Sequence, residues 1–93
     1  MSETILQEAQ RVVDGARQKD YGHPRDNHGC TAAMWSAWLT RRLGVKIDLT
    51  AGDVCALNRL QKESRLANTP GHRDSLVDIA GYARNQEMIG EAA

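Results

Sequence analysis

Phenylalanine is absent from this 93-residue chain, and aromatic side chains are scarce, with two tryptophans and two tyrosines. A hydrophobic core must therefore be built mainly from alanine, leucine, valine, isoleucine and methionine, which suit closely packed helices. A chain this short buries only about 60–65% of its unfolded surface, so its core is modest. We expect homo-oligomerisation to enlarge it.

An excess of charge of either sign is also missing. Twelve lysines and arginines balance twelve aspartates and glutamates, so the formal net charge is zero. The overall positive field that attracts nucleic acids is therefore absent, and we expect no nucleic-acid partner. A local basic pocket is compatible with this balance.

The sequence has no apolar run near the length of about 18 residues that a membrane-spanning helix needs. The first residues, 1–4, lack the basic and apolar blocks of a signal peptide. We therefore expect no membrane partner and a cytoplasmic location.

Cysteine is rare as well, and in a reducing cytoplasm Cys30 and Cys55 are expected to be free thiols on helices. Cys30 and His28 could supply two zinc ligands, but no second pair accompanies them. We therefore predict no metal site and no cofactor.

The spacing of apolar residues predicts an all-α fold. Recurrence at intervals of three and four residues is typical of amphipathic helices, and short connections favour an antiparallel bundle. We predict a single helical domain over residues 1–93, with about four helices at roughly 4–19, 25–43, 51–67 and 73–89. Thr4 with Gln7, and Thr50 with Asp53, match capping boxes at two of the helix starts.

Particular positions predict how the helices pack. Gly15 and Gly81 are expected where two helices cross closely, and Val54, Leu57 and Leu60 are expected on the inner stripe of the third helix. The second helix is apolar over a wide arc that includes both tryptophans, so it is either central in the bundle or shared with another subunit. The alternating segment 45–49 is expected to be an extended linker that covers the end of the bundle.

The densest polar cluster lies at the predicted corner between the first two helices. Gly22 suits the left-handed position that ends a helix, and Pro24 suits the first turn of the next. The polar side chains at this corner are Tyr21, His23, Asp26 and Asn27. A capping role for His23 or Asp26 is the plain interpretation. The alternative is one wall of a polar site, in which Tyr21 stacks on a base.

Three cations follow one edge of the third helix. Arg59, Lys62 and Arg65 are spaced three residues apart, so they could bind a phosphate group together. A solvated charged face is the plain alternative.

A second row lies on the fourth helix, where Asp74, Asp78 and Tyr82 recur every four residues. Asp78 sits between apolar neighbours, so its carboxylate needs a partner, for which Lys62 or Arg65 are the candidates. The pair could fix the register of the helical hairpin or form part of a site.

These motifs together resemble a family of short bacteriophage proteins without an assigned function. The resemblance rests on Asp20-Tyr21-Gly22-x-Pro24-x-x-Asn27, Trp35-Ser36-Ala37, Lys62-x-x-Arg65-Leu66-Ala67-Asn68 and Asp74-Ser75-x-x-Asp78-Ile79-Ala80-Gly81-Tyr82. It covers most of the chain. It implies a phage origin and therefore the cytoplasm of the host cell.

The paired third and fourth helices are also similar to the MazG-type all-α nucleoside triphosphate pyrophosphohydrolases. Those enzymes carry Glu-x-x-Glu and Glu-x-x-Asp motifs that hold Mg²⁺, a cation that prefers oxygen ligands. Here Lys62-x-x-Arg65 or Asn58-x-x-Gln61 stands in place of the first motif, and the second survives as Ser75-x-x-Asp78. Magnesium would be needed only if this alternative holds, with Glu63, Asp74 and Asp78 as the remaining acids.

The departure from the metal motifs leads to a binding hypothesis. A pocket of this type without metal ligands would hold a phosphate-bearing nucleotide without hydrolysing it, which resembles the viral sponges that sequester nucleotide signals of bacterial immunity. The expected ligand-binding residues are Tyr21, His23, Asn27, Lys62, Arg65, Asp74, Asp78 and Tyr82, and no catalytic residue is assigned. The alternatives are the Mg²⁺-dependent pyrophosphohydrolase and a phage adaptor that binds a host protein through the tryptophan-bearing helix.

Overall fold

The architecture is all-α, as predicted. The structure, a computed structural model, describes residues 2–92, and for Ala16 the backbone alone; positions 1 and 93 of the predicted domain lie outside this range. The elements are α1 (Ile5–Val12), a π-helical turn (Val13–Arg17), α2 (Gln18–Tyr21), α3 (Pro24–Leu43), α4 (Ala51–Asn68) and α5 (Arg73–Glu91). The predicted boundaries agree with these within two residues, and the described residues include no strand.

Helices α4 and α5 form an antiparallel hairpin at the centre of the molecule. Helix α3 packs on α4, and α1 packs along α5. Arg73 ties the start of α5 to α1 through Glu8 at 3.1 Å, and Arg84 reaches Asp14 at 3.2 Å. None of the helices in residues 2–92 combines the length and the apolar character needed to cross a membrane.

Local sequence signals start the helices where we predicted them. Thr4 and Thr50 both form capping boxes, in which each threonine hydroxyl accepts from the third residue of its helix. At the start of α5 the ring of His72 accepts from the backbone N–H of Ser75. These caps satisfy backbone donors that have no partner within the helix.

The first helix is not continuous, contrary to our prediction. It is interrupted at Gly15, whose φ of −107° and ψ of −114° are non-helical, and the chain forms a π-helical turn there. A close crossing at Gly15 was also predicted wrongly, since no atom would lie within 4 Å of an added Cβ. Gly81 is the true point of close approach, because a Cβ there would lie 3.3 Å from Cγ2 of Val13.

The inner stripe of the third predicted helix was only partly correct. Val54 is fully buried, but Leu57 and Leu60 are 42% and 64% exposed. Helix α4 packs against both α3 and α5, and this places Cys55 in the core and turns the half-buried Asn58 inward. The two neighbouring helices, rather than the apolar pattern, determine which side of α4 is buried.

The segment that connects α3 to α4 is an extended linker, as predicted. The backbone N–H groups of Ile47 and Leu49 donate to the hydroxyls of Thr40 and Ser36, at 2.9 and 2.8 Å. Ile47 and Leu49 are half-buried, whereas Val45 is exposed and does not cover the bundle as we expected.

The contact at Gly81 predicts a specific stability effect. We expect Gly81→Val to lower the free energy of unfolding by about 1–3 kcal/mol, because the added methyl groups would overlap the side chain of Val13. Chemical denaturation measures this effect, and the additional substitution Val13→Ala should recover part of the loss.

Gly90 provides the matched control in the same helix. No atom lies within 4 Å of a Cβ added there, so the same change, Gly90→Val, should leave the free energy of unfolding within about 0.5 kcal/mol of the wild-type value. Equal effects at the two glycines would contradict the close packing of α5 on Val13.

Candidate functional site

A cavity of about 260 Å³ opens where α2 and α3 meet the α4–α5 hairpin. Its polar wall is dominated by four carboxamide side chains, one from each of these helices: Gln18, Asn27, Asn58 and Asn85. The amides are joined by one guanidinium, one imidazole, two phenol rings and one threonine hydroxyl. No carboxylate lines the cavity in the described part of the chain.

The corner between α2 and α3 forms the rim of this cavity. Gly22 has a φ of +79°, in the left-handed region that favours glycine, and its N–H donates to Gln18 O at 2.8 Å. His23 caps α3, because its Nδ1 accepts from the backbone N–H of Arg25 at 3.0 Å. The sharp turn brings Tyr21 at the end of α2 and Asn27 in the first turn of α3 to the same cavity.

The floor of the cavity is a buried polar contact between α3 and α5. His28 and Asn85 are each 8% exposed, and Asn85 Nδ2 lies 3.2 Å from His28 Nε2. Burial, and secondarily the positive charge of Arg17, lower the pKa of His28. The ring is therefore neutral at pH 7, and its Nε2 accepts from the Asn85 amide. Tyr82 packs edge-on against the same ring, with the ring centroids 6.0 Å apart.

Arg17 supplies the cationic group of the cavity wall. It ends the π-helical turn, and its Cζ lies 5.8 Å from the ring centroid of Tyr21. A π-helical turn inserts an extra residue into a helix, which changes the direction of the side chains that follow, and such turns are frequent at functional sites. Here Arg17, the last residue of the turn, lines the cavity together with Gln18 and Tyr21 of α2.

The predicted ion pair between the third and fourth helices is present. Lys62 Nζ lies 2.9 Å from Asp78 Oδ2, and the two side chains are 12% and 31% exposed. Asp78 also borders a smaller cavity of about 20 Å³, which shares Arg17, Tyr82 and Asn85 with the first. The pair therefore lies next to the amide-lined cavity but outside its wall.

The remaining predicted site residues lie farther along the hairpin. Arg65 and Asp74 are exposed and line neither cavity. Along their helices they are about 10–12 Å from Asn58 and Tyr82, at 1.5 Å per residue. Arg59, the first cation of the predicted row, donates a hydrogen bond to Gln86. The structure thus brings Tyr21, Asn27 and Tyr82 together and separates them from the charged end of the hairpin.

Several cavity residues were missed by the sequence analysis. Arg17, Asn58 and Asn85 had no assigned binding role, and His28 was not among the expected ligand-binding residues. Single polar residues within amphipathic helices carry no local signal. The one available cue was that Asn58 and Asn85 face each other once the α4–α5 hairpin is built.

The arrangement is suited to binding rather than to nucleophilic chemistry. Carboxamides and a neutral ring supply both donors and acceptors, as the polar edge of a nucleobase requires. The exposed ring of Tyr21 offers a stacking surface, and Arg17 offers two parallel donors to an anion. Within residues 2–92, no three His, Cys, Asp or Glu side chains lie close enough together to hold a metal ion. Cys30 and Cys55 are both unpaired thiols on helices.

The buried neutral His28 predicts a pH dependence of stability. Because its pKa is lowered in the folded state, the unfolded chain binds a proton more readily. The free energy of unfolding should therefore be fully developed above pH ~6.5 and should fall as the pH decreases below that value.

The measurement is chemical denaturation between pH 7 and 5, a window above the titration of ordinary carboxylates. We expect His28→Gln to flatten the decrease relative to the wild type. If the free energy of unfolding decreased equally with pH in the wild type and in His28→Gln, this result would contradict a neutral buried ring.

Comparison with known proteins places the chain in a phage context. It is 45% identical over 91 residues to the Gene 55 protein of Mycobacterium phage D29, which covers 98% of this chain and 56% of that protein. It is 38% identical over 80 residues to the Gene 55 protein of Mycobacterium phage L5, covering 86% of this chain and 48% of that protein. The chain thus spans about half the length of the curated relatives that it matches. No solved structure matches.

A family model described as "Domain of unknown function (DUF6378)" matches residues 4–90, which include every helix start and nearly all of α5. The match contains the whole cavity wall and confirms the resemblance to short phage proteins. The chain therefore belongs to DUF6378, a family of bacteriophage proteins without an assigned function.

Proposed function

We propose that this phage protein binds a phosphate-bearing nucleotide in the amide-lined cavity and holds it without cleaving it. In the cytoplasm of an infected host, such binding lowers the free concentration of the ligand. A nucleotide signal of bacterial immunity is a ligand whose removal would benefit a phage, so the proposed role is that of an anti-defence sponge.

One observation carries this proposal. The corner residues Tyr21 and Asn27 meet Tyr82 of α5 around a single cavity, although 61 positions separate the first of them from the last. The same wall holds Arg17, an anion donor, and the carboxamides that a base edge requires. A stacking ring, base-reading amides and a guanidinium are the three groups that a nucleotide site needs.

Retention without cleavage follows from what surrounds the cavity. The wall has no carboxylate in the described residues, and Asp78, the nearest acid of the predicted row, is paired with Lys62. The pyrophosphohydrolase alternative needs several carboxylates free to bind Mg²⁺. The pairing of Asp78 therefore favours binding over hydrolysis.

The test is equilibrium dialysis against a panel of nucleotides in the presence of EDTA. Bound material is then released by denaturation and identified by mass spectrometry. We expect binding that persists in EDTA and release of intact nucleotide. A cleaved nucleotide in the released fraction, or binding that requires added Mg²⁺, would favour the pyrophosphohydrolase instead.

Substitutions at the rim should weaken this binding without affecting the fold. Tyr21 is 61% exposed, so Tyr21→Ala removes the proposed stacking surface from an already accessible position. Because base–aromatic stacking contributes about 1–3 kcal/mol, we expect affinity to fall roughly tenfold or more. Calorimetric titration of the tightest nucleotide measures the change.

Arg25→Gln is the matched control, since Arg25 lies at the same corner but pairs with Asp26 and does not line the cavity. The Arg25→Gln variant should bind the nucleotide with the same affinity as the wild type. Equal losses in Tyr21→Ala and Arg25→Gln would mean that the corner acts through general electrostatics or folding, and not through stacking.

We also propose that the protein is a homo-oligomer, and that a second copy covers the α3 apolar face, defined as Met34, Trp35 and Trp38. Met34 and Trp38 are 68% and 65% exposed. The protomer extends over 52 × 33 × 20 Å, so its thinnest dimension is only about two helix diameters. Its radius of gyration of 14.5 Å exceeds the value of about 12 Å for a compact domain of this length.

The small core of the protomer favours a second copy as the occupant. Apart from proline and glycine, only seven apolar residues in the described part of the chain are buried: Ala9, Val13, Ala32, Val54, Cys55, Val77 and Met88. Small domains with limited cores commonly gain stability through oligomerisation. The exposed tryptophan is the residue type that most often anchors such interfaces.

Trp38→Glu should therefore convert the oligomer to a monomer in light scattering coupled to size-exclusion chromatography. Leu6→Glu, at a 73%-exposed apolar position on α1, should leave the oligomer intact. A wild-type monomer at all concentrations would contradict the proposal. A monomer that instead captures a host protein through Trp38 would identify the adaptor alternative.

A further inference from the structure

We propose that the ligand carries a single phosphate: the amide-lined cavity is a site for one mononucleotide, with its base inside and its phosphate on Arg17 at the rim. This inference rests on the proposed function and narrows it. It assigns the charged end of the hairpin, which includes Arg65 and Asp74, to a structural role outside the site.

The size of the cavity supports one nucleotide unit. Its volume is about 260 Å³, slightly below the range of roughly 300–1,000 Å³ that is typical of small-molecule pockets. Tyr21 in its wall is 61% exposed, so the cavity is open to solvent beside this ring and part of the ligand stays in solvent. A base and its sugar therefore occupy the cavity, and the phosphate lies at the opening.

The charge of the wall sets the number of phosphates. Arg17 is the one cation among the lining residues that the structure describes, and the neutral His28 contributes no positive charge. A guanidinium forms two parallel hydrogen bonds with one phosphate group. Two further phosphates would carry additional negative charge without a cation in the wall to balance it.

The neighbouring cations are engaged elsewhere. Lys62 is paired with Asp78 at 2.9 Å, and Arg59 donates to Gln86. Arg65 lies about 10 Å along α4 from the cavity residue Asn58, at 1.5 Å per residue. A second or third phosphate that extended from the cavity towards the hairpin would therefore lie next to the Lys62–Asp78 pair, whose charges already neutralise each other.

The neutral amide side chains of the cavity recognise the base. Asn58 and Asn85 project from opposite helices of the hairpin into the same cavity. Asn85 uses its amide nitrogen on His28, which leaves its carbonyl oxygen as an acceptor. Paired donors and acceptors of this kind read a base edge, whereas they provide little to a second phosphate.

The test compares the affinities of a series of ligands that share one base and carry an increasing number of phosphates. The base is chosen from a panel of adenosine, guanosine, cytidine and uridine monophosphates, and the matching nucleoside, diphosphate and triphosphate are then titrated calorimetrically in EDTA. We expect the monophosphate to bind roughly tenfold tighter than the nucleoside or better, as a charge-assisted bidentate contact provides. The diphosphate and triphosphate should bind within about threefold of the monophosphate.

Two exposed arginines separate the possible outcomes. Arg17→Gln should reduce the affinity for the monophosphate to that for the nucleoside. Arg65→Gln should leave the affinities for all ligands of the series unchanged. Affinity that increases with every added phosphate, and loses this increase in Arg65→Gln, would overturn the single-phosphate assignment while leaving the nucleotide-binding function intact. Failure of every nucleoside and nucleotide to bind would reject the proposed function and this inference with it.

Discussion

The hydrogen bond between Asn85 and His28 is the interaction on which the rest of the site depends. It joins α5 to α3, two helices that contact each other less than α3 contacts α4. A charged imidazole at this position would lose the acceptor that Asn85 needs, and burial opposes that charge. The neutral ring therefore fixes the floor of the cavity, and the edge-on contact with Tyr82 fixes its side.

Three separate structural features surround that contact. The corner at Gly22 turns the chain sharply, and Tyr21 before it and Asn27 after it both line the cavity. The π-helical turn at Gly15 redirects the side chain of Arg17 towards the same opening. The Lys62–Asp78 ion pair joins α4 to α5 one helical turn away. Each feature is local, and together they form the surroundings of the polar cavity.

Most of the fold could be predicted from the sequence because its signals are local. The capping boxes at Thr4 and Thr50, the break at Gly22 and the period of the apolar residues all act within a few positions. The site was less predictable because it is made by contacts between distant residues. Tyr21, Asn27 and Tyr82 were identified from their residue types, whereas Asn85 and His28 acquire their roles only when α3 and α5 meet.

The errors have two physical causes. Leu57 and Leu60 follow an apolar stripe, but α4 packs between two helices that bury its other side and leave these leucines exposed. Gly15 was expected to permit a helix crossing, and it instead permits a break that local propensity does not reveal. Tertiary packing determined which side of α4 is buried, whereas the break at Gly15 is a local change of backbone conformation.

The most direct test of a nucleotide site in this cavity is a titration followed by nuclear magnetic resonance of the side-chain amides. A ¹⁵N-labelled sample titrated with a nucleoside monophosphate in EDTA should show saturable shifts in the carboxamide signals of Asn27, Asn58 and Asn85. The signals of residues near Arg65 and Asp74 should remain unchanged. Shifts confined to the charged end of the hairpin, or no saturable shift with any nucleotide, would contradict the account.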